Sequence, residues 1–292
     1  MKKYPIVKVK TSDGLELHGL LSEPDKPSKT IILHLHGTSG NFFHNDFNEP
    51  LIRSANNLGI SHLTTNNRGA GVYEIERETV NHGASLEKFE DCLLDIDAWI
   101  EFAKEKGYEK IILEGHSFGT EKSVYYMEKG QYKDRIIAVI LLGFSDNVGT
   151  MQRYLKKIGK DYSEEARKMV DKGEGHRLLD DIYGLAGELP ISAQTYLNFT
   201  SEDSENSKAL PLRQGKDLTF FRNIKVPILG VIGDNDVGEY TIIPIKEAND
   251  LLRSENKLAE IFQIENCNHS FEGKEKELVN IVEDFLKRKV LT

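Results

Sequence analysis

Short aliphatic runs recur along the chain, separated by stretches in which apolar positions return every three or four residues. Thr30–Leu35, Ile60–Thr64, Lys110–Leu113, Ile136–Leu142, Pro227–Ile232 and Leu258–Ile264 are nearly continuous Val/Ile/Leu segments. A strand needs such a run when helices cover both faces of its sheet. Nearer the N-terminus, Ile6–Lys10 and Leu15–Leu21 flank Thr11-Ser12-Asp13-Gly14, and the Asp-Gly pair predicts a hairpin. Leu86–Lys106 carries Phe89, Leu93, Ile96, Trp99, Ile100 and Ala103 on one helical stripe and stops at Gly107. Lys274–Lys289 likewise gathers Leu278, Ile281, Val282, Phe285 and Leu286 on one side. Strands alternating with helices predict an α/β fold with a mostly parallel central sheet flanked by helices, the hairpin forming its antiparallel edge.

The rhythm fails between Asn147 and about Arg222. Met151–Ile158, Glu164–Lys172 and Ser192–Phe199 suit helices, no run there suits a strand, and Ser201–Asn206 is polar enough for a loop. The expected organisation is therefore a core of 1–146 and 223–292, with 147–222 inserted as a helical cap between two late strands. No internal repeat is visible.

Composition narrows the classes of function. The 292 residues are 39% hydrophobic and 29% charged, which allows a sizeable core and excludes wholesale disorder. Asp and Glu outnumber Lys and Arg by 47 to 38, giving a formal charge of −9, without the clustered basic face that nucleic acid requires. Two cysteines, Cys92 and Cys267, cannot build a disulfide framework. The N-terminal residues never reach an apolar signal core, and no stretch of membrane-spanning length is apolar. The expectation is a cytoplasmic protein with reduced thiols and no nucleic-acid or membrane partner.

The sharpest chemical signal is Gly115-His116-Ser117-Phe118-Gly119, between the predicted strand Lys110–Leu113 and a predicted helix, Thr120–Lys129. That context suits a nucleophile elbow, in which serine sits on a tight strand-to-helix turn above the sheet edge. Gly115 and Gly119 leave out β-carbons that would crowd the turn. A serine hydroxyl needs a base to take its proton, and in this arrangement an acid and then a histidine follow it in the chain. Gly233-Asp234-Asn235-Asp236 follows one predicted strand, and His269, in Glu265-Asn266-Cys267-Asn268-His269-Ser270-Phe271, follows the next. Asp234 and Asp236 are both candidate acids on this reading, and Asp146 is a third on the same geometric grounds.

An oxyanion needs fixed N–H donors. The Phe118 amide is one candidate. The Thr38 amide is the other, in Leu33-His34-Leu35-His36-Gly37-Thr38-Ser39-Gly40, which reads as strand then glycine-rich loop. His34 and His36 would otherwise be a metal pair, but no third ligand stands at a recognisable spacing, and His36 suits a role in holding the loop. Asn67-Arg68-Gly69 reads as a turn with an internally paired arginine. Glu114, beside the elbow, either tunes the site or pairs with a lysine. Phe199, Tyr196, Leu197, Tyr183 and Tyr154 either line an apolar pocket or pack the insertion on the sheet.

These residues together resemble the α/β-hydrolase superfamily. Gly115–Gly119 is similar to its nucleophile motif and His36-Gly37 to its oxyanion-loop motif. Gly233-x-x-Asp236 resembles its acid turn, which selects Asp236 over Asp234, and Asn268-His269 resembles its histidine loop with Asn268 in place of the common glycine. The resemblance implies a serine hydrolase of the capped carboxylesterase or acyl-hydrolase type. Its triad would be Ser117, Asp236 and His269, with Thr38 and Phe118 as oxyanion donors and no cofactor or metal. A serine where dehalogenase relatives carry aspartate argues against dehalogenation. Thioesterase, acyltransferase, cyclase and carbon–carbon hydrolase activities share the same triad, and a non-catalytic binding protein on this fold is a further alternative. The expected partners are a small-molecule acyl substrate and, at most, a second copy in a homodimer.

Overall fold

The computed structural model describes residues 5–75, 81–184, 187–235 and 240–291. Within them, an eight-stranded sheet is built from β1 (Ile6–Lys10), β2 (Glu16–Ser22), β3 (Thr30–Leu35), β4 (Ser61–Thr65), β5 (Lys110–His116), β6 (Ile136–Leu142), β9 (Ile228–Gly233) and β10 (Ala259–Ile264). Their order across the sheet is β1-β2-β4-β3-β5-β6-β9-β10. β1 pairs antiparallel with β2, and β2 antiparallel with β4; every other pairing is parallel. The hairpin is thus the antiparallel edge, and this is an α/β-hydrolase fold.

Helices cover both faces, which is why β3, β5, β6 and β9 are mostly aliphatic; β4, Ser61-His62-Leu63-Thr64-Thr65, is buried but largely polar. On one face α1 (Asn48–Asn57) and α10 (Glu275–Lys289) bring Leu51, Ala55, Leu278, Val282 and Phe285 onto Ile32, Ile112, Ile140 and Val231. On the other, α2 (Cys92–Glu105), α3 (Phe118–Lys129) and α9 (Ile245–Glu255) bring Ile96, Trp99, Val124 and Leu252 onto Leu33, Leu113, Leu141 and Ile232. α2 starts later than the periodicity predicts, because Phe89–Asp91 turns as a short 3-10 segment first.

The segment between β6 and β9 corrects two expectations. It holds α4 (Asn147–Ile158), α5 (Ser163–Asp171), α6 (Ala193–Thr200), α7 (Glu205–Ala209) and α8 (Thr219–Asn223), but also an antiparallel pair, β7 (Leu178–Gly184) and β8 (Leu189–Ser192). The insertion is not purely helical. Asp180 breaks the strand pattern of β7 and Pro190 that of β8, a residue tolerated only on an edge strand. Helix α7 also begins inside the tract expected as loop, started by the Ser204 hydroxyl accepting from the Ser207 amide at 3.1 Å. The insertion seats Met151, Leu155, Ile182, Tyr196 and Phe199 on Phe89, Phe118 and Tyr125 of the core. No helix among the described residues is long and apolar enough to cross a membrane.

Candidate active site

The chain leaves β3 toward β4 on one side, and β5 lies on the other, so the order reverses between β3 and β5. Open α/β sheets bind ligands beyond the carboxyl ends of their strands at such a reversal. Ser117 follows β5 there, at φ 54° and ψ −125°. A serine at positive φ stores strain that its surroundings must hold. Its N–H donates to the Leu142 carbonyl at 2.9 Å, and its carbonyl accepts from the Thr120 N–H and hydroxyl at 2.8 and 2.7 Å. The glycines are required by contact: a β-carbon on Gly115 would stand 2.2 Å from the Gly119 oxygen, and one on Gly119 2.3 Å from the Leu35 oxygen. Gly37 is as tight, since its β-carbon would meet that of Ser117 at 2.8 Å.

His269 lies in the loop after β10. Its ring covers Gly143, where a β-carbon would come within 3.1 Å of both Cε1 and Nδ1. Tyr240 stacks on the same ring with centroids 4.2 Å apart at 21°. The His116 ring is 5.0 Å away, and its Nε2 donates to the His269 carbonyl at 2.9 Å. Burial, followed by the nearby His269, holds His116 well below the ordinary histidine range. Gly143 follows Leu142, the residue that accepts the Ser117 N–H, so the structure brings Ser117 and the His269 ring to one rim of the sheet.

The candidate acids separate. Asp236 lies outside the described residues. Asp234 accepts from the Cys267 amide at 3.1 Å, and backbone bonds from Asn266 and Cys267 lower its pKa. The Asn235 amide donates to the Cys267 carbonyl at 2.9 Å, so the turn after β9 is stapled to the histidine loop immediately before position 236. Asp146 is buried and otherwise engaged: it caps α4 through the Gly149 amide at 2.8 Å and pairs with Arg213. Burial pushes Asp146 up to about 6, against the pull of Arg213.

On the β3 side, the His36 ring is fixed at both nitrogens. Nδ1 is 2.6 Å from the Gly37 carbonyl oxygen, which can only accept, so Nδ1 carries the proton. Nε2 accepts from the Asn67 amide at 3.1 Å. Burial, and then the charge of Lys122, brings His36 down to about 3, so the ring is neutral. Gly37 O also accepts from the Gly40 amide at 3.2 Å. A trans peptide sets its N–H opposite its carbonyl; pinning Gly37 O therefore fixes the direction of the Thr38 N–H. His34 does not share a ligand site with His36: its Nδ1 lies 2.7 Å from Glu114 Oε1. Among the described residues no group of His, Cys, Asp or Glu is placed to hold a metal ion.

A family model described as "Protein of unknown function (DUF1749)" matches residues 81–287. The chain belongs to the DUF1749 family. No curated protein matches the sequence. Solved structures resemble this DUF1749 chain over nearly its whole length. Est1E from Butyrivibrio proteoclasticus with ferulic acid bound has a TM-score of 0.68 at 16% identity, covering 98% of this chain and 100% of that one. A soluble variant of monoglyceride lipase from Saccharomyces cerevisiae, in complex with a substrate analog, has a TM-score of 0.66 at 15% identity, covering 99% and 97%. A Pyrococcus furiosus esterase has a TM-score of 0.63 at 15% identity, covering 98% and 91%. At these identities the likeness is one of fold.

Around the site the structure decides some roles that the sequence leaves open and adds residues, Lys122 and Tyr240, that it does not single out. Glu114 pairs with histidines, not with a lysine. Its burial favours the neutral form, but the His34 hydrogen bond and nearby His62, 3.6 Å from the same oxygen, bring it down to about 2. Lys122 is wholly buried, 2.5 Å from Glu87 and 2.9 Å from Asn67 Oδ1. Tyr240 precedes no motif, and only the fold places it on His269. Arg68 is internally paired, as its sequence suggests, with acids from other elements: its guanidinium meets Asp95 at 2.8 Å, Asp13 at 3.1 Å and Asp91 at 3.3 Å. Of the aromatic residues weighed as pocket lining, Tyr196 and Phe199 pack within the insertion's core, and Phe199 packs on Phe118 with ring centroids 5.0 Å apart at 45°.

Proposed function

We propose that this protein is a serine hydrolase that cleaves a carboxylic ester or related acyl compound. The observation carrying this reading is Ser117, held at φ 54° on the turn after β5, at the rim where the His269 ring lies. A strained serine at a sheet's order reversal serves no packing purpose that an ordinary turn would not serve better. The structural neighbours, an esterase and a monoglyceride lipase among them, fit an ester substrate.

In the proposed reaction His269 takes the Ser117 hydroxyl proton as the oxygen attacks the acyl carbon. Asp236, one residue beyond the turn stapled to the histidine loop, orients the imidazole and stabilises its cation. The Thr38 and Phe118 amides receive the oxyanion; the first is aimed by the pinned Gly37 carbonyl, the second by the first turn of α3. His269 returns its proton to the leaving alcohol, leaving Ser117 acylated. Water, deprotonated by His269, then releases the acid. The insertion 147–222, seated on the core through Phe199 against Phe118, stands over the nucleophile turn and roofs the acyl pocket.

p-Nitrophenyl acetate tests this directly. Wild type should release nitrophenol with a burst equal to the enzyme concentration, and a fluorophosphonate should label Ser117. Ser117→Ala should lose both. Equal turnover by the two proteins would sink the reading.

A further inference from the structure

We propose that the buried Lys122 ammonium, acting through Asn67, positions His36 and thereby the oxyanion loop. This rests on the hydrolase reading for its kinetic consequence, but the positioning itself does not depend on turnover.

The connection is a continuous chain of contacts. Lys122 lies on α3, just past the turn that presents Ser117, and is inaccessible to solvent. Its ammonium is 2.5 Å from Glu87 and 2.9 Å from Asn67 Oδ1, and it lies 4.6 Å from the centre of the Phe118 ring. The same Asn67 oxygen accepts from the Gly69 amide at 3.1 Å. With its side chain clamped from two directions, Asn67 presents its own amide to His36 Nε2 at 3.1 Å and its Nδ2 to the His36 carbonyl at 3.4 Å. A donor at Nε2 leaves the proton to Nδ1, which grips Gly37 O at 2.6 Å. That carbonyl belongs to the peptide whose N–H is Thr38.

A buried ammonium is costly unless paired, and a simple helix-to-loop contact needs no charge. Here the ion pair with Glu87 keeps the cation in place, while its second contact goes to Asn67, whose side chain bonds the His36 carbonyl just past β3. Glu87 is itself fitted closely: a β-carbon on Gly69 would stand 2.2 Å from Glu87 Oε2. Lys122 and Asn67 are thus positioning residues, and neither touches the reacting atoms.

The test pairs Lys122→Met/Glu87→Gln, which removes both charges together so that neither is left buried alone, with Asn67→Ala as a second route to the same loss. Steady-state kinetics on p-nitrophenyl acetate should show kcat reduced about 10–100-fold with KM within about threefold, the signature of a donor misaligned in the transition state. Nitrogen NMR of labelled histidine supplies a readout free of activity. In wild type His36 should be a neutral Nδ1–H tautomer that does not titrate down to about pH 5, whereas the variants should show mixed tautomers. An Nε2–H tautomer in wild type would overturn the proposal even if no variant folds. Folded variants whose His36 signals match wild type would also overturn it, whatever their rates. Loss of Ser117-dependent turnover in wild type would remove the hydrolase reading and leave the tautomer measurement to decide this one.

Discussion

His116 Nε2 lies 2.9 Å from the main-chain oxygen of His269, so the residue just before the candidate nucleophile holds the backbone of the candidate base. The bond spans the sheet: His116 ends β5, while His269 follows β10, with β6 and β9 between them. The loop after β10 reaches back across two strands, and this contact fixes where it stops. Phe47 and Phe271 close around the His116 ring, with centroids at 5.1 and 6.2 Å. Packed this tightly and kept neutral by burial, His116 offers a donor that does not vary with pH in the working range.

His116→Leu keeps the volume but removes the donor. The His269 carbonyl loses its partner and the loop can drift by a fraction of an ångström, enough to cost about tenfold or more in kcat. Steady-state kinetics beside a urea melt checks this: the expected result is a drop in kcat larger than any change in the folded fraction explains.

Glu121 gives the stability curve an alkaline slope. Burial, then repulsion from Asp146, raises its pKa to about 8, while bonds from Asn147 and Ser145 oppose the rise. A carboxyl whose folded pKa exceeds the unfolded value holds its proton in the native state and gives it up on unfolding. Its stabilisation is therefore complete below the unfolded pKa and declines as pH rises toward 8. Between about pH 6.5 and 8 the expected loss approaches 1 kcal/mol per pH unit. Urea midpoints across that range should fall in wild type and stay flat in Glu121→Gln.

Gly119→Ala tests whether the elbow tolerates a β-carbon. The new atom would sit 2.3 Å from the Leu35 oxygen, which is backbone and cannot swing aside. Either β3 separates from α3 or the turn relaxes, at a cost of about 1–3 kcal/mol. If the turn relaxes, fluorophosphonate labelling of Ser117 should slow even in molecules that remain folded.

The central strands and the two chemical loops were legible because each is written locally. A strand buried on both faces is mostly aliphatic, and an elbow must carry glycines two residues either side of its serine; neither depends on distant partners. β7 and β8 were hidden because the pair is held by the insertion's packing, and Asp180 and Pro190 argue against strands in isolation. α1 went without a prediction; its Pro50 lies in the first turn, where an amide donor is not needed. Lys122 could not be read at all. Its partners Glu87 and Asn67 come from two other loops, and a lysine on a helix is ordinarily a solvated side chain. Arg68 was legible as an internally paired residue, though not its three acidic partners.

Those partners yield the last prediction. Asp95 is fully buried and accepts from the Arg68 guanidinium and from its amide, the latter at 2.7 Å. Burial works against the charge on Arg68, yet Asp95 and Asp13 raise its pKa above the usual arginine value. Arg68→Met leaves the Asp95 carboxylate in the interior without its cation, a loss of about 3–5 kcal/mol for a broken buried pair. Arg68→Met/Asp95→Asn removes the stranded charge but keeps an acceptor for the residue 68 amide, so it should recover much of that loss. A double-mutant cycle by urea unfolding measures the coupling directly. The cluster ties the turn after β4 to α2 and the first hairpin, and the same turn carries Asn67, which bonds His36, so the cycle is read on stability and not on kcat. A double variant no more stable than Arg68→Met would show that Arg68 acts by packing alone.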